Sequence, residues 1–165
     1  MVRRPSGFTI VEIIVVLLLM SILAATLLGR SVTTSNLDLN SATDKVRNQL
    51  RFAQAEAMKR SDTVWGIQSD GSSQYWMFRA TTTATEEVVI PGGDYASGST
   101  RVSFTNLGAD LNSFTVVFDR LGRPYKAQTN GVPNNPVSAG DNPIVRVSKG
   151  EERQVTITPE TGLIR

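Results

Sequence analysis

Three residues near the start of the chain have the types and spacing to do chemistry: Gly7, Phe8 and Glu12, in Gly7-Phe8-Thr9-Ile10-Val11-Glu12. Glu12 is the one charge in an apolar segment that runs on through residues 13–28, interrupted only by Ser21 and Thr26. A carboxylate in such a segment costs about 2.5–3.5 kcal/mol inside a bilayer, so it needs a partner or a reason. No basic residue lies within its own next turns. The helix dipole and snorkelling reduce that cost near a helix start. A second chain offers more. Cutting after Gly7 would make Phe8 an amino terminus with Glu12 as its fifth residue, and a neighbour staggered along the helix axis could bring that ammonium beside Glu12. Gly7 is the candidate because a secretory signal expects its small-residue cleavage site beyond the apolar core, and that side reads Leu27-Leu28-Gly29-Arg30-Ser31.

The remaining residues narrow the chemistry by what they lack. With no cysteine and no histidine, the chain has no disulfide framework, no Cys/His zinc site and no nucleophile-histidine triad. Serines and aspartates are plentiful, but no base is placed for them, so no catalytic residue is assigned and the chain reads as a non-enzyme. Asp141 and its neighbouring asparagines lack EF-hand spacing, and neither a metal nor a cofactor is expected. The chain carries 17 basic and 15 acidic residues; with Arg3 and Arg4 set aside as part of a leader, the rest balances. Bulk attraction to nucleic acid is therefore not expected. Arg120, Arg123 and Lys126, with Arg165 at the end, form the one small basic group that could contact it.

These residues need elements to position them. A helix over 8–28 would cover about 30 Å, enough to span a bilayer once, and Arg3 and Arg4 place its start on the cytoplasmic side. Gly29 and residues 31–36 are weak helix formers. Beyond them Leu39, Ala42, Val46, Leu50, Ala53 and Ala57 recur at three- and four-residue steps, the stripe of an amphipathic helix that packs on a sheet. From 63 the period becomes that of strands: 63–69, 74–80, 86–90, 101–104, 114–118, a piece around Tyr125, 144–148, 154–158 and 163–164. Residues 127–142, rich in asparagine, proline and glycine, read as a structureless loop. Trp65, Tyr75 and Trp76 read mainly as packing. The expected fold class is α+β: a long N-terminal transmembrane and amphipathic helix packed on a C-terminal antiparallel sheet domain. The expected divisions are a leader over 1–7, a transmembrane half over 8–28, an amphipathic half over 29–61 and a β-sheet domain over 62–165.

The short basic leader, Gly7-Phe8, Glu12 and the apolar run resemble the class III leader of type IV pilins and of type II secretion pseudopilins. The resemblance extends along the chain: the long helix, the strand-rich remainder, a 118–122 turn of pattern Phe-Asp-x-x-Gly and a terminal Thr161-Gly162 are similar to the minor pseudopilins of the GspH/FimT family. It implies cleavage after Gly7 by a prepilin peptidase, methylation of Phe8, and a role for Phe8 and Glu12 in assembly. Implied partners are that peptidase, other major and minor pseudopilins or pilins, and an inner-membrane assembly platform. The implied location is the bacterial inner membrane, single-pass, with the C-terminal domain in the periplasm and later in a pseudopilus that supports secretion. The alternative is a FimT-like minor type IV pilin for pilus assembly or DNA uptake. DNA-binding relatives carry a terminal Gly-Arg-x-Arg, of which Gly162-Leu163-Ile164-Arg165 keeps only the last arginine. Two further departures are Gly29, near where many relatives have a proline, and the absence of cysteines.

Overall fold

The computed structural model describes residues 9–60, 62–95, 98–141 and 144–165, with the backbone alone over 27–35. The chain forms two compact units, Met1–Leu37 and Asp38–Arg165. Helix α1 (Ile10–Lys59) supplies residues to both, and its backbone continues through Gly29 and 31–36. In the first unit every described side chain over 10–26 is exposed. Ser21 Oγ donates to Leu18 O and Thr26 Oγ1 to Leu23 O, each at 2.8 Å, so both hydroxyls are satisfied by their own helix. A helix that is apolar all round must find another environment. Among the described residues no helix is long and apolar enough to cross a membrane. The described side chains of the apolar run end at Thr26, short of the Leu28 at which the sequence places its end.

The second unit is built on the expected stripe. Leu39, Ala42, Val46, Leu50, Ala53 and Ala57 are all fully buried. The three alanines let the helix approach the strands closely, and the leucines fill the space between. The main sheet begins with β1 (Val64–Asp70), β2 (Gln74–Ala80), β3 (Thr85–Val88) and β4 (Val102–Ser103). After β5 (Asp110–Leu111) come β6 (Ser113–Phe118), β7 (Pro124–Thr129) and β8 (Val132–Pro136), and the chain closes with β9 (Val145–Lys149) and β10 (Glu151–Val155). The antiparallel order is β3-β2-β1-β6-β7-β8, with β4 also on β2; β10-β9-β5 form a second, three-stranded sheet. Trp65, Ile67, Tyr75, Met77, Val116 and Phe118 belong to the main core together with the helix stripe. Alternation along the same strands turns Val64, Phe78, Ala80 and Val117 to the other face, where Tyr125 covers them. That second small core is why β1 reads as nearly continuous burial instead of simple alternation.

Residues 127–142 are a correction. They hold the end of β7, a two-residue turn, β8 and a short 3₁₀ turn at Ala139–Asp141. Asn130 and Gly131 both take positive φ, 49° and 71°, between the paired Thr129 and Val132, which is the primed hairpin turn that Asn-Gly favours. Pro133 and Pro136 disguise the strand, and β8 tolerates them because it is the sheet edge. The last hairpin also differs: β10 starts at Glu151, so only Gly150 separates its paired ends. The expected final piece survives as a bridge between Ile157 and Ile164. The two-residue β5 carries too short a pattern to be read from sequence.

Among the described residues, four buried polar atoms have an unused hydrogen bond: Arg47 Nε, Gln49 Oε1, Trp65 Nε1 and the Tyr75 hydroxyl. Tyr75 is fully buried, its ring 5.2 Å from that of Phe104, and among the described residues its hydroxyl makes no well-formed hydrogen bond, the Gln49 side chain being its polar neighbour. Burial also pushes this phenol well above its ordinary range. Because an unpaired buried hydroxyl carries its desolvation cost without return, Tyr75→Phe should leave stability within about 1 kcal/mol or raise it. Denaturant unfolding checks this; a loss larger than about 1.5 kcal/mol would mean that the hydroxyl is bonded in solution.

Candidate functional site

Thr9 caps α1. Its Oγ1 accepts from Glu12 N at 3.3 Å, and its carbonyl accepts from Glu12 N at 3.1 Å and Ile13 N at 3.3 Å. Thr9-x-x-Glu12 is thus the first half of a capping box, which places Glu12 in the first helical turn, where the dipole favours negative charge. The Glu12 carboxylate makes no hydrogen bond or ion pair with any described residue. It lies beside Ile13, Val16 and Leu17, on a surface with no other polar side chain. An anionic group on an apolar stem, held at a helix start and unpartnered, can accept a cation from another molecule. Gly7 and Phe8, the expected processing residues, lie outside the described residues.

The second unit holds the other sequence-flagged residues. The 119–123 turn is organised by the Asp119 carboxylate, which accepts from Leu121 N and Arg123 N at 2.9 Å each, from Arg123 Nε at 2.8 Å and from Tyr125 Oη at 3.3 Å. Arg123 is therefore spent on Asp119, and Lys126 is paired with Asp141 at 2.8 Å. Arg120 is exposed and makes no contact of this kind with a described residue. Arg165 is exposed too, with its backbone paired to Thr156. Among the described residues the expected basic group is thus one cation without an ionic partner beside two neutralised ones, with the Arg165 backbone paired to Thr156. Both Asp141 oxygens already have partners: one takes Lys126 at 2.8 Å, the other takes Ser138 N at 2.7 Å and Ser138 Oγ at 2.9 Å. Among the described residues no group of three or more acidic side chains could hold a metal. Trp65 and Tyr75 are buried, while Trp76 is half-buried beneath the Arg101 guanidinium, 4.0 Å from the ring centre.

Burial opposes ionisation of Asp119, but the backbone and side chain of Arg123 and the Leu121 N–H outweigh it and hold the carboxyl below its ordinary value. Lys126 and then Ser138 draw Asp141 down to about 2. Both groups titrate lower when folded than unfolded, where aspartate sits near about 3.9. Their stabilisation is therefore present above about pH 4 and lost as pH falls toward 2. A melting series from pH 6 to 2 should show this decline, and Asp141→Asn should flatten its lowest part; an unchanged acid limb in that variant would remove Asp141 from the account.

Sequence reasoning missed Gln54. Its Nε2 donates to Gly122 O at 2.8 Å and Gly162 O at 3.1 Å, clamping the 118–122 turn and the chain end to α1. Arg51 adds a bond from its guanidinium to Ile164 O at 3.0 Å. A glutamine one position after a buried alanine of the stripe, Ala53, was the available signal.

Comparison with known proteins matches residues 42–162 to the type II transport protein GspH family and residues 2–28 to the prokaryotic N-terminal methylation motif. No curated protein and no solved structure matches the chain. The GspH match takes in α1 from Ala42 onward, every strand, the 118–122 turn and Gly162; the methylation motif takes in Gly7, Phe8 and Glu12. Family and motif together imply a membrane-anchored, pilin-like protein of the periplasm. The chain belongs to the GspH family of type II transport proteins.

Proposed function

We propose that this chain is a minor pseudopilin, a structural subunit of the type II secretion pseudopilus. In this reading a prepilin peptidase cuts between Gly7 and Phe8 and methylates the new amine, and the apolar part of α1 crosses the inner membrane once with the strand-rich unit in the periplasm. Assembly moves that apolar surface from lipid to the helices of neighbouring pseudopilins on the assembly platform. A neighbour's Phe8 ammonium then meets Glu12. Repeating one stagger gives an open, heterologous filament. The observation that carries the reading is the methylation motif over 2–28 together with a first helical turn whose carboxylate, Glu12, has no partner among the described residues. The GspH match favours secretion over the FimT-like pilus alternative. DNA uptake draws no support from a basic group in which Arg123 and Lys126 are already paired.

The test is the intact mass of the protein purified from membranes with and without a co-expressed prepilin peptidase. Loss of residues 1–7 with the gain of one methyl group, abolished in Gly7→Ala, is the expected result. A full-length mass in the presence of active peptidase would end the reading.

A further inference from the structure

The 119–123 turn is held by a dense set of hydrogen bonds and points outward two exposed side chains, Arg120 and Leu121. Asp119 fixes it through Leu121 N and Arg123 N; Gly122 N donates to Asp119 O at 2.9 Å and Asp119 N to Arg123 O at 3.1 Å. Gln54 then holds Gly122 O against α1. Out of this frame project Arg120, exposed and without an ionic partner among the described residues, and Leu121, 63 % exposed. Met58, 57 % exposed, lies against the turn, its sulfur 3.1 Å from the position a Cβ on Gly122 would take. Arg120 and Leu121 also form one wall of an open hollow closed on other sides by Thr82, Gly131 and Pro133. Asp62 and the mutually paired Asp119 and Arg123 line the same hollow.

A rigid element presenting an unpaired arginine beside exposed apolar side chains has the composition of a binding hot spot whose ordering cost is already met by the fold. One free cation matches one carboxylate. A phosphate backbone would call for a row of free cations, and the neighbouring Arg123 and Lys126 are neutralised. We propose that the 119–123 turn and Met58 dock an acidic, apolar segment of a neighbouring filament subunit, with its carboxylate on Arg120 and its apolar residues on Leu121 and Met58. The identity of the occupant rests on the pseudopilus reading; the surface itself does not.

The experiment uses the full chain in cells carrying an intact secretion system, with Leu121 replaced by the photocrosslinker p-benzoylphenylalanine and, as a control, Thr83 replaced likewise on another exposed loop. Position 121 should crosslink to a pilin-like subunit through a peptide containing Asp or Glu, and position 83 should not. Arg120→Glu should cut the yield about tenfold or more, and reversing the mapped acid in the partner should restore it. Silence at 121 in protein of processed mass that enters filaments would overturn the docking surface and leave the pseudopilus reading standing. Unprocessed mass with no pilin-like product would overturn both. A crosslink unaffected by Arg120→Glu, a product that is not pilin-like, or binding of duplex DNA by the purified chain that is lost in Arg120→Glu would overturn the proposed occupant.

Discussion

Gly162→Ala is expected to cost about 3–5 kcal/mol, lowering the melting temperature of the second unit by about 10–20 °C. Two independent penalties add. Gly162 has φ +65°, a conformation in which a side chain is strained by about 1–3 kcal/mol. A Cβ there would also run into the Gly122 carbonyl oxygen and come within 2.5 Å of Gln54 Nε2. Neither neighbour can give way cheaply, because the Gln54 amide is the clamp that bonds both carbonyls. Gly92→Ala separates the two penalties: its φ is +74° but nothing lies within 4 Å of the new methyl, so only strain remains, about 1 kcal/mol. Thermal unfolding of both variants by circular dichroism decides the matter. If Gly162→Ala melts no lower than Gly92→Ala, the close approach of the 118–122 turn and the chain end does not hold the unit together.

Glu12→Gln should leave processing intact and lower incorporation into filaments by about tenfold or more. The substitution keeps the shape and removes the charge. A neutral amide relieves most of the roughly 2.5–3.5 kcal/mol that a carboxylate costs in lipid, so the subunit sits more comfortably in the membrane and loses its reason to leave it. It also cannot pair with a neighbour's ammonium. Since each 1.4 kcal/mol is tenfold, half of that cost is enough to produce the effect. The measurement is the fraction of processed protein that co-purifies with sheared filaments, compared with the fraction left in the membrane. Wild-type incorporation of the Gln variant would show that the carboxylate does not drive assembly, and the Thr9 cap would then be the simpler reason for a polar residue in the first turn.

The sequence by itself determined what depends on local pattern. The stripe from Leu39 to Ala57 required a buried helical face, because its spacing repeats with the helical turn whatever it packs against, and all six positions are buried. The composition of 10–28 predicts an environment other than water, and Thr9-x-x-Glu12 predicts the capped start that the structure has. The strands β1, β2 and β6 were legible from their apolar runs. Tertiary structure alone decided how separate runs meet. That residues 127–142 contain an edge hairpin depends on β7 pairing with β6 and laying Tyr125 on Val64, Phe78, Ala80 and Val117. No window of the sequence contains that surface. Gln54 lies 68 residues from Gly122 and 108 from Gly162, and only folding brings the three together. The same holds for charge: Arg120, Arg123 and Lys126 read alike in the chain, and the placement of Asp119 and Asp141 neutralises two of them. Pairing is a matter of distance in space, which local pattern does not encode, so the sequence could offer a basic group but only the fold could leave Arg120 as its member without an ionic partner among the described residues.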